Sequence, residues 1–356
     1  MKLRKGLFML CAGLSLCACS SDDGNQFPEG TGIVEVRIVP PTSGRAITTP
    51  SGDGNTTEIK VQGTYQITLD AAKGGGTKEV AWNADGLTAT FTNVSYPKSV
   101  TVTLNDHAKN EYTLNDLTTI KEIDPIDIPA YGYTESFTPS TVDNLTTYTT
   151  SVKMAIPVAR LEIGNITFKT ENTIFSKLTA AGVYMDNLRK SGGTYDAETG
   201  VFKNPQSMTF GNYQFGATND LYGVGEPYIL GNEDETNLLS GTMPGNSEVY
   251  AYNFYGATPE GSEAATTNPH FKIFFSATRN SEDSEDIPRY AMITTFKNKS
   301  HEEITLENGK IYRVTAAQLE DKNIVVDESN AMEYQVSVTV EEAKWSVADI
   351  NGIWED

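Results

Sequence analysis

The 356-residue chain carries 47 acidic against 27 basic side chains, a formal charge of −20, and 38% of its residues are hydrophobic. So acidic a surface is repelled by phosphate backbones, which argues against nucleic-acid partners. It also repels its own copies, so assembly needs a specific contact. The length suits two domains, and the abundance of Thr, Gly, Asn and Tyr without long Ala/Leu/Glu/Lys runs favours β structure.

The first eighteen residues read as an export signal: a basic MKLRK followed by the apolar Leu7–Ala18, too short to span a bilayer. In Leu16-Cys17-Ala18-Cys19 a small residue precedes Cys19 and a leucine stands three before it. That spacing matches a bacterial lipobox, whose cysteine is diacylated and becomes the new N-terminus; bulky Leu16 makes Cys17 a worse fit. An ordinary signal peptide that happens to contain cysteines is the alternative. Removal of residues 1–18 leaves 24 bases against 47 acids, a balance of −23. No cysteine follows Cys19, which rules out disulfides, thiolate metal sites and cysteine nucleophiles in the mature chain. The SSDD after Cys19 resembles the surface-export signal of Bacteroides-type lipoproteins.

Past a polar tether (20–32), strands alternate with Gly/Asn/Asp/Pro turns. Val34, Val36 and Ile38 alternate with Glu35 and Arg37 in the first. The segment PPTSGRAITTP (40–50) follows, with Arg45 alone among Ser, Gly, Thr and Pro residues that would neither bury nor pair it. Ile59, Val61, Tyr65, Ile67 and Leu69 continue a period of two. KGGGTK (73–78) reads as a hairpin, and Val100, Val102 and Leu104 as another strand. Residues 123–139 read as a long loop or edge with Tyr131, Tyr133 and Phe137 exposed or half-buried. MAIPVARLEIGNITF (154–168) opens a second strand set, which puts a domain junction near residue 150. Leu178, Ala181, Met185 and Leu188 are spaced almost helically, but Gly182 and Val183 favour a strand. Aromatic-rich strands follow at 249–255, 271–277 and 290–296, with a turn at Asn308-Gly309. The last strong strand is EYQVSVTVE (333–341), with Tyr334, Val336, Val338 and Val340 on one face.

Catalytic signatures are missing. His107, His270 and His301 stand apart beside turn residues, and no GxSxG, HExxH or SxxK occurs. GGGTK has its threonine before the lysine, so it is not a phosphate loop. The acidic runs 232–235 and 282–286 lack EF-hand spacing and read as solvated loops. No enzyme activity, cofactor or metal is expected.

The first and last strands match. Val34, Val36 and Ile38 offer three β-branched side chains at a period of two, and so do Val336, Val338 and Val340, so either set fits one row of pockets. A cut at Arg45 leaves the first strand held by nothing covalent, and the last strand of another copy could replace it. That contact is head-to-tail and makes open fibres.

These features together resemble the fimbrillin family, the two-domain pilins of Bacteroides-type bacteria. The likeness rests on the lipobox at Cys19, Arg45-Ala46 after the first strand, PVARLEI (157–163), NGKIYRV (308–314) and YQVSVTV (334–340). It implies an all-β protein with two transthyretin-like β-sandwich domains in tandem. The chain then divides into a signal peptide (1–18), a propeptide with the removable strand (19–45), an N-terminal sandwich (46–150) and a C-terminal sandwich (151–356). It further implies lipidation at Cys19, cleavage between Arg45 and Ala46, and polymerisation through the donor strand Tyr334, Val336, Val338 and Val340. Other pilin subunits are the implied partners, the outer membrane and surface fimbrium the implied location, and a host or bacterial receptor an implied contact. The family's tail often ends soon after its strand, whereas this one runs on to Asp356, which leaves stalk, anchor and tip positions open. A non-polymerising surface lipoprotein that binds glycans through Tyr131 and Tyr133 is the competing reading. A glycosidase is a third, although the sequence nominates no carboxylate pair.

Overall fold

The structure, a computed structural model, describes residues 32–39, 59–60, 63–81, 87–105, 109–113, 116–117, 120, 123, 127–189, 191–203, 210–211, 228–229, 237–244, 249–258, 268–280, 287–314, 316–326 and 336–346. The protein is all-β, built from sandwich-type domains. The N-terminal half contains β1 (Gly32–Val39), β2 (Ile59–Lys60), β3 (Thr64–Lys73), β4 (Gly76–Ala81) and β5 (Thr88–Leu104). It continues through β6 (Glu111–Thr113), β7 (Ala130–Thr134), β8 (Thr138–Val142) and β9 (Leu145–Lys153). The C-terminal half opens with β10 (Ala159–Ile163), β11 (Ile166–Phe168), β12 (Phe175–Asp186), β13 (Leu188–Arg189), β14 (Ser191–Asp196) and β15 (Val201–Lys203). After β16 (Phe210–Gly211) and β17 (Tyr228–Ile229) come β18 (Tyr250–Phe254), β19 (His270–Arg279) and β20 (Ile287–Lys297). It closes with β21 (Lys310–Val314), β22 (Ala317–Leu319) and β23 (Val336–Ser346).

Two large sheets divide the chain between Lys153 and Ala159. The first has the order β4-β3-β5-β1-β9-β8, with β7 also on β5. The second has the order β17-β12-β19-β20-β23-β21-β10-β18, with the early β2 reaching across to β23. Each owes its sandwich form to a strand that changes neighbours midway, the standard way of turning a corner between layers. In β5, residues up to Val94 pair with β1, and residues from Ser95 pair with β3. The left-handed Asn93 (φ 58°) and Tyr96 (φ 50°) make that bend. In β23, Val336–Thr339 pair with β20 and Val340–Lys344 with β21.

The expected alternations are present. Tyr65, Ile67 and Leu69 on β3 face Leu104, Val102 and Val100 on β5, all buried. The 73–78 segment is the β3–β4 hairpin. Gly74 has φ 73°, and a Cβ there would stand 2.2 Å from the Asn93 carbonyl oxygen, so only glycine fits. The near-helical spacing at 177–190 resolves as β12: a register shift between Ala180 and Gly182 breaks the period of two. Residues 130–134, expected as loop or edge, form the strand β7, which pairs with β5 and otherwise meets the chain at the Tyr131–Ala155 bridge.

The two halves are joined by side chains as well as by the chain. β6 pairs with β14, and Tyr255 donates its hydroxyl to the Thr113 carbonyl. Rings of Tyr131, Tyr195, Phe202 and Tyr112 follow edge-to-face at 5.2, 5.7 and 5.4 Å, and Tyr195 also donates to the Lys153 carbonyl at 2.6 Å. A second joint is ionic. The parallel pairing of β10 with β21 sets Glu162 opposite Arg313, which brings the PVARLEI and NGKIYRV segments together. Glu162 accepts from Arg160 Nε at 2.9 Å and from Arg313 Nε at 2.6 Å. Arg160 Nη1 donates to the Ile123 carbonyl at 2.9 Å, and the buried Asn253 amide donates to the Ile120 and Ile123 carbonyls. Arg160 is thus a buried clamp that holds the 120–123 segment of the N-terminal half against the C-terminal half.

Glu162 is the one carboxylate answering two guanidinium groups in this cluster. Glu162→Ala strands the buried Arg160 charge, and the expected cost is about 3–5 kcal/mol. The check is equilibrium urea unfolding, with the midpoint lowered and the slope unchanged.

Candidate functional site

The candidate site is the slot occupied by β1. Although it is the first described strand, β1 lies inside its sheet rather than at an edge. Gly32–Arg37 pair antiparallel with β5, and Ile33–Val39 pair parallel with β9. Both rows of its backbone groups are therefore engaged. At its far end the Ile38 amide donates to Leu87 and the Val39 carbonyl accepts from Met154.

The period of two sorts its side chains cleanly. Val34, Val36 and Ile38 are 0, 1 and 3% exposed and sit within the core, while Glu35 and Arg37 point outward. Burying three such residues stabilises by very roughly 5–9 kcal/mol in gross transfer free energy, at about 1.5–3 kcal/mol each. Taking β1 away would empty those three pockets and bare two facing strand edges, Thr88–Val94 and Thr147–Lys153. On β5 itself the Lys78 ammonium donates to the Thr90 carbonyl at 2.5 Å and lies 5.2 Å from the Phe91 ring centroid.

The outer face of the slot is a shallow hydroxyl-lined groove. Thr88 and Thr90 of β5 flank Glu35 and Arg37 on one side, with Thr149 and Ser151 of β9 on the other. No group of three or more His, Cys, Asp or Glu able to hold a metal occurs among the described residues.

Several expected site residues lie outside the described residues: Cys19, Arg45, Ala46 and Tyr334. The acidic runs 232–235 and 282–286 lie there too. Val336, Val338 and Val340 are in β23, well inside their own sheet, and Val338 and Val340 are each 3% exposed. Tyr131 is buried against Tyr195, and its burial holds the phenol above its ordinary pKa. Tyr133 is half-buried and donates to Glu135 at 2.5 Å. Of the two tyrosines suggested for glycan stacking, Tyr131 therefore offers no open ring face.

Reading the sequence alone missed both neighbours of β1. LTTYTTSVK (145–153) and TATFTNV (88–94) carry threonines on the outer face, which hide an alternation that Ala89, Phe91, Thr150 and Val152 continue inside. The signal was present as period two in threonines rather than in contrast between apolar and charged residues.

No protein-family profile matches the sequence, and no curated protein matches it significantly. Among solved structures, a Bacteroides eggerthii protein provisionally named for cell adhesion aligns at TM-score 0.50 and 18% identity, over 91% of this chain and 100% of that one. A Parabacteroides distasonis protein, also provisionally named for cell adhesion, aligns at 0.49 and 10%, over 90% and 98%. A Porphyromonas gingivalis fimbrilin aligns at 0.45 and 11%, over 90% and 99%. The chain thus shares its overall fold with the first of these along nearly the whole length of both.

The slot makes its own prediction. Ile38→Ala opens a cavity beneath β1 and is expected to cost about 2–5 kcal/mol. Glu35→Ala on the outward face should stay within about 0.5 kcal/mol of the parent. Urea midpoints of the two variants, compared with the parent, test the sorting.

Proposed function

We propose that the protein is a structural subunit of a surface fimbrium, exported as a lipoprotein and assembled by strand exchange. The observation that carries this reading is the position of β1: first of the described strands, central in its sheet, and followed in sequence by the Arg45 segment. One cut between Arg45 and Ala46 would leave the strand held only by hydrogen bonds and three apolar side chains. The fold shared with a protein provisionally named for cell adhesion agrees with this reading.

On this reading Cys19 carries the lipid, residues 19–45 are the propeptide, and sandwiches at 46–150 and 151–356 form the mature subunit. The donor is the C-terminal strand with Tyr334, Val336, Val338 and Val340, offered to a neighbouring copy or a related subunit. In the monomer β23 fills its own core, so donation needs it to leave β20 and β21. The incoming row of three β-branched side chains replaces the row that β1 vacates, so assembly depends on first emptying that slot and on what the donor gives up by leaving β20 and β21. An incoming strand running opposite to β1 would pair antiparallel with β9 and parallel with β5. The fold offers support for a structural rather than a catalytic role, with the outer membrane and the fimbrium as location.

Arg45→Ala is expected to leave an exported, acylated precursor that does not assemble. Electron microscopy of cells expressing the variant, together with N-terminal sequencing of wild-type fibres, tests this. Fibres of wild-type protein should begin at Ala46; fibres made only of Cys19-linked chains would sink the proposal.

A further inference from the structure

The described residues include six large apolar side chains that are exposed, and three of them gather at one end of the first sandwich. Val142 is 67% exposed, Tyr96 57% and Leu145 41%. Val142 and Leu145 face each other across the tip of the β8–β9 hairpin, where Asp143 and Asn144 take left-handed φ. Single exposed apolar residues are ordinary, but a projecting hairpin with an apolar pair beside its turn is a contact feature.

The chain enters the fold at this same end. Gly32, the first residue of β1, pairs with Val94, two residues before Tyr96. Its neighbour Ile33 pairs with Thr147, and β9 runs parallel to β1, so Leu145 lies two residues, about 7 Å, beyond that level. A Cβ at Gly32 would stand 2.6 Å from the Val94 carbonyl oxygen and 3.2 Å from that of Thr146, so this end is tightly closed. The opposite end of β1, at Val39 and Met154, leads to the second half. Gly32 comes thirteen positions after Cys19, a reach of at most about 45 Å when fully extended.

We propose that this end is a lipid-contacting surface which seats the anchored precursor on its membrane through Val142, Leu145 and Tyr96. The inference rests on the reading of Cys19 as a lipid anchor. A chain of net charge −20 is repelled by anionic headgroups over most of its surface, so contact is confined to a locally neutral face. Here Asp143 is the one charged residue of the β8–β9 turn, and Lys73, opposite Ser95, places a positive charge at the end of β3 on the β5 side. Val and Leu fit the acyl boundary, and a tyrosine fits the headgroup level. Two weak contacts, one acyl anchor and one apolar tip, hold a protein at a surface far better than either does alone. They would also orient it with the second half pointing outward.

The test uses the full acylated chain in vesicles of phosphatidylcholine with a minor share of phosphatidylglycerol. Val142→Trp and, at an exposed site of the second half, Val326→Trp are compared with the parent, whose three tryptophans set the background. Brominated phosphatidylcholine should blue-shift and quench the added signal of Val142→Trp and leave that of Val326→Trp unchanged. Equal quenching of both, or of neither, overturns the proposal. A Val142→Trp shift that needs no lipid and grows with protein concentration also overturns it, and assigns the tip to a second copy instead. Mass spectrometry at Cys19 separates the two readings: an unacylated cysteine defeats the anchor, while an acylated chain with an unquenched tip defeats only the contact.

Discussion

A strand hydrogen-bonded along both edges cannot leave its sheet without exposing two rows of backbone donors and acceptors at once, and β1 is such a strand. Its antiparallel partner β5 and parallel partner β9 would otherwise face each other across an empty slot. The inward row of Val34, Val36 and Ile38 adds the apolar part of the same constraint. Everything in the first sandwich is arranged around keeping that slot filled, including the corner in β5 that carries the chain from one layer to the other.

The second half solves the same problem with its last strand. β23 belongs to both layers, paired first with β20 and then with β21, so it closes its sandwich as β1 closes the first. One strand lies at the start of the described chain and one at its end. Both are topologically central and sequentially terminal, and terminal strands are the ones a chain can release without unthreading. The strand exchange we propose rests on that coincidence.

Exchange at these strands would gain nothing if the two halves moved independently. The buried Arg160–Glu162–Arg313 cluster holds the 120–123 segment of the first half, and the ring series from Tyr112 to Tyr131 holds the β14–β15 hairpin of the second, so the two contacts form one joint. A buried ionic cluster contributes little net stability over a well-packed apolar one, but it is unforgiving of misplacement, and that suits a junction that must keep a fixed geometry.

By itself the sequence determined the β class, the outward and inward sorting of β1, the buried alternation of β3 and β5, and the turn at Gly309. Each depends on a period of two, or on a glycine at positive φ, and both are local properties. It also marked PVARLEI and NGKIYRV as notable without saying why. Only the tertiary structure decided that Glu162 and Arg313 stand opposite each other, because parallel pairing joins residues 151 positions apart. It likewise decided that β9 flanks β1, since threonines on the outer face conceal the alternation. Tyr131 went inside for the same reason: the hairpin that covers it comes from the other half of the chain. Local pattern settles which way a side chain points, and only long-range pairing settles what it meets there.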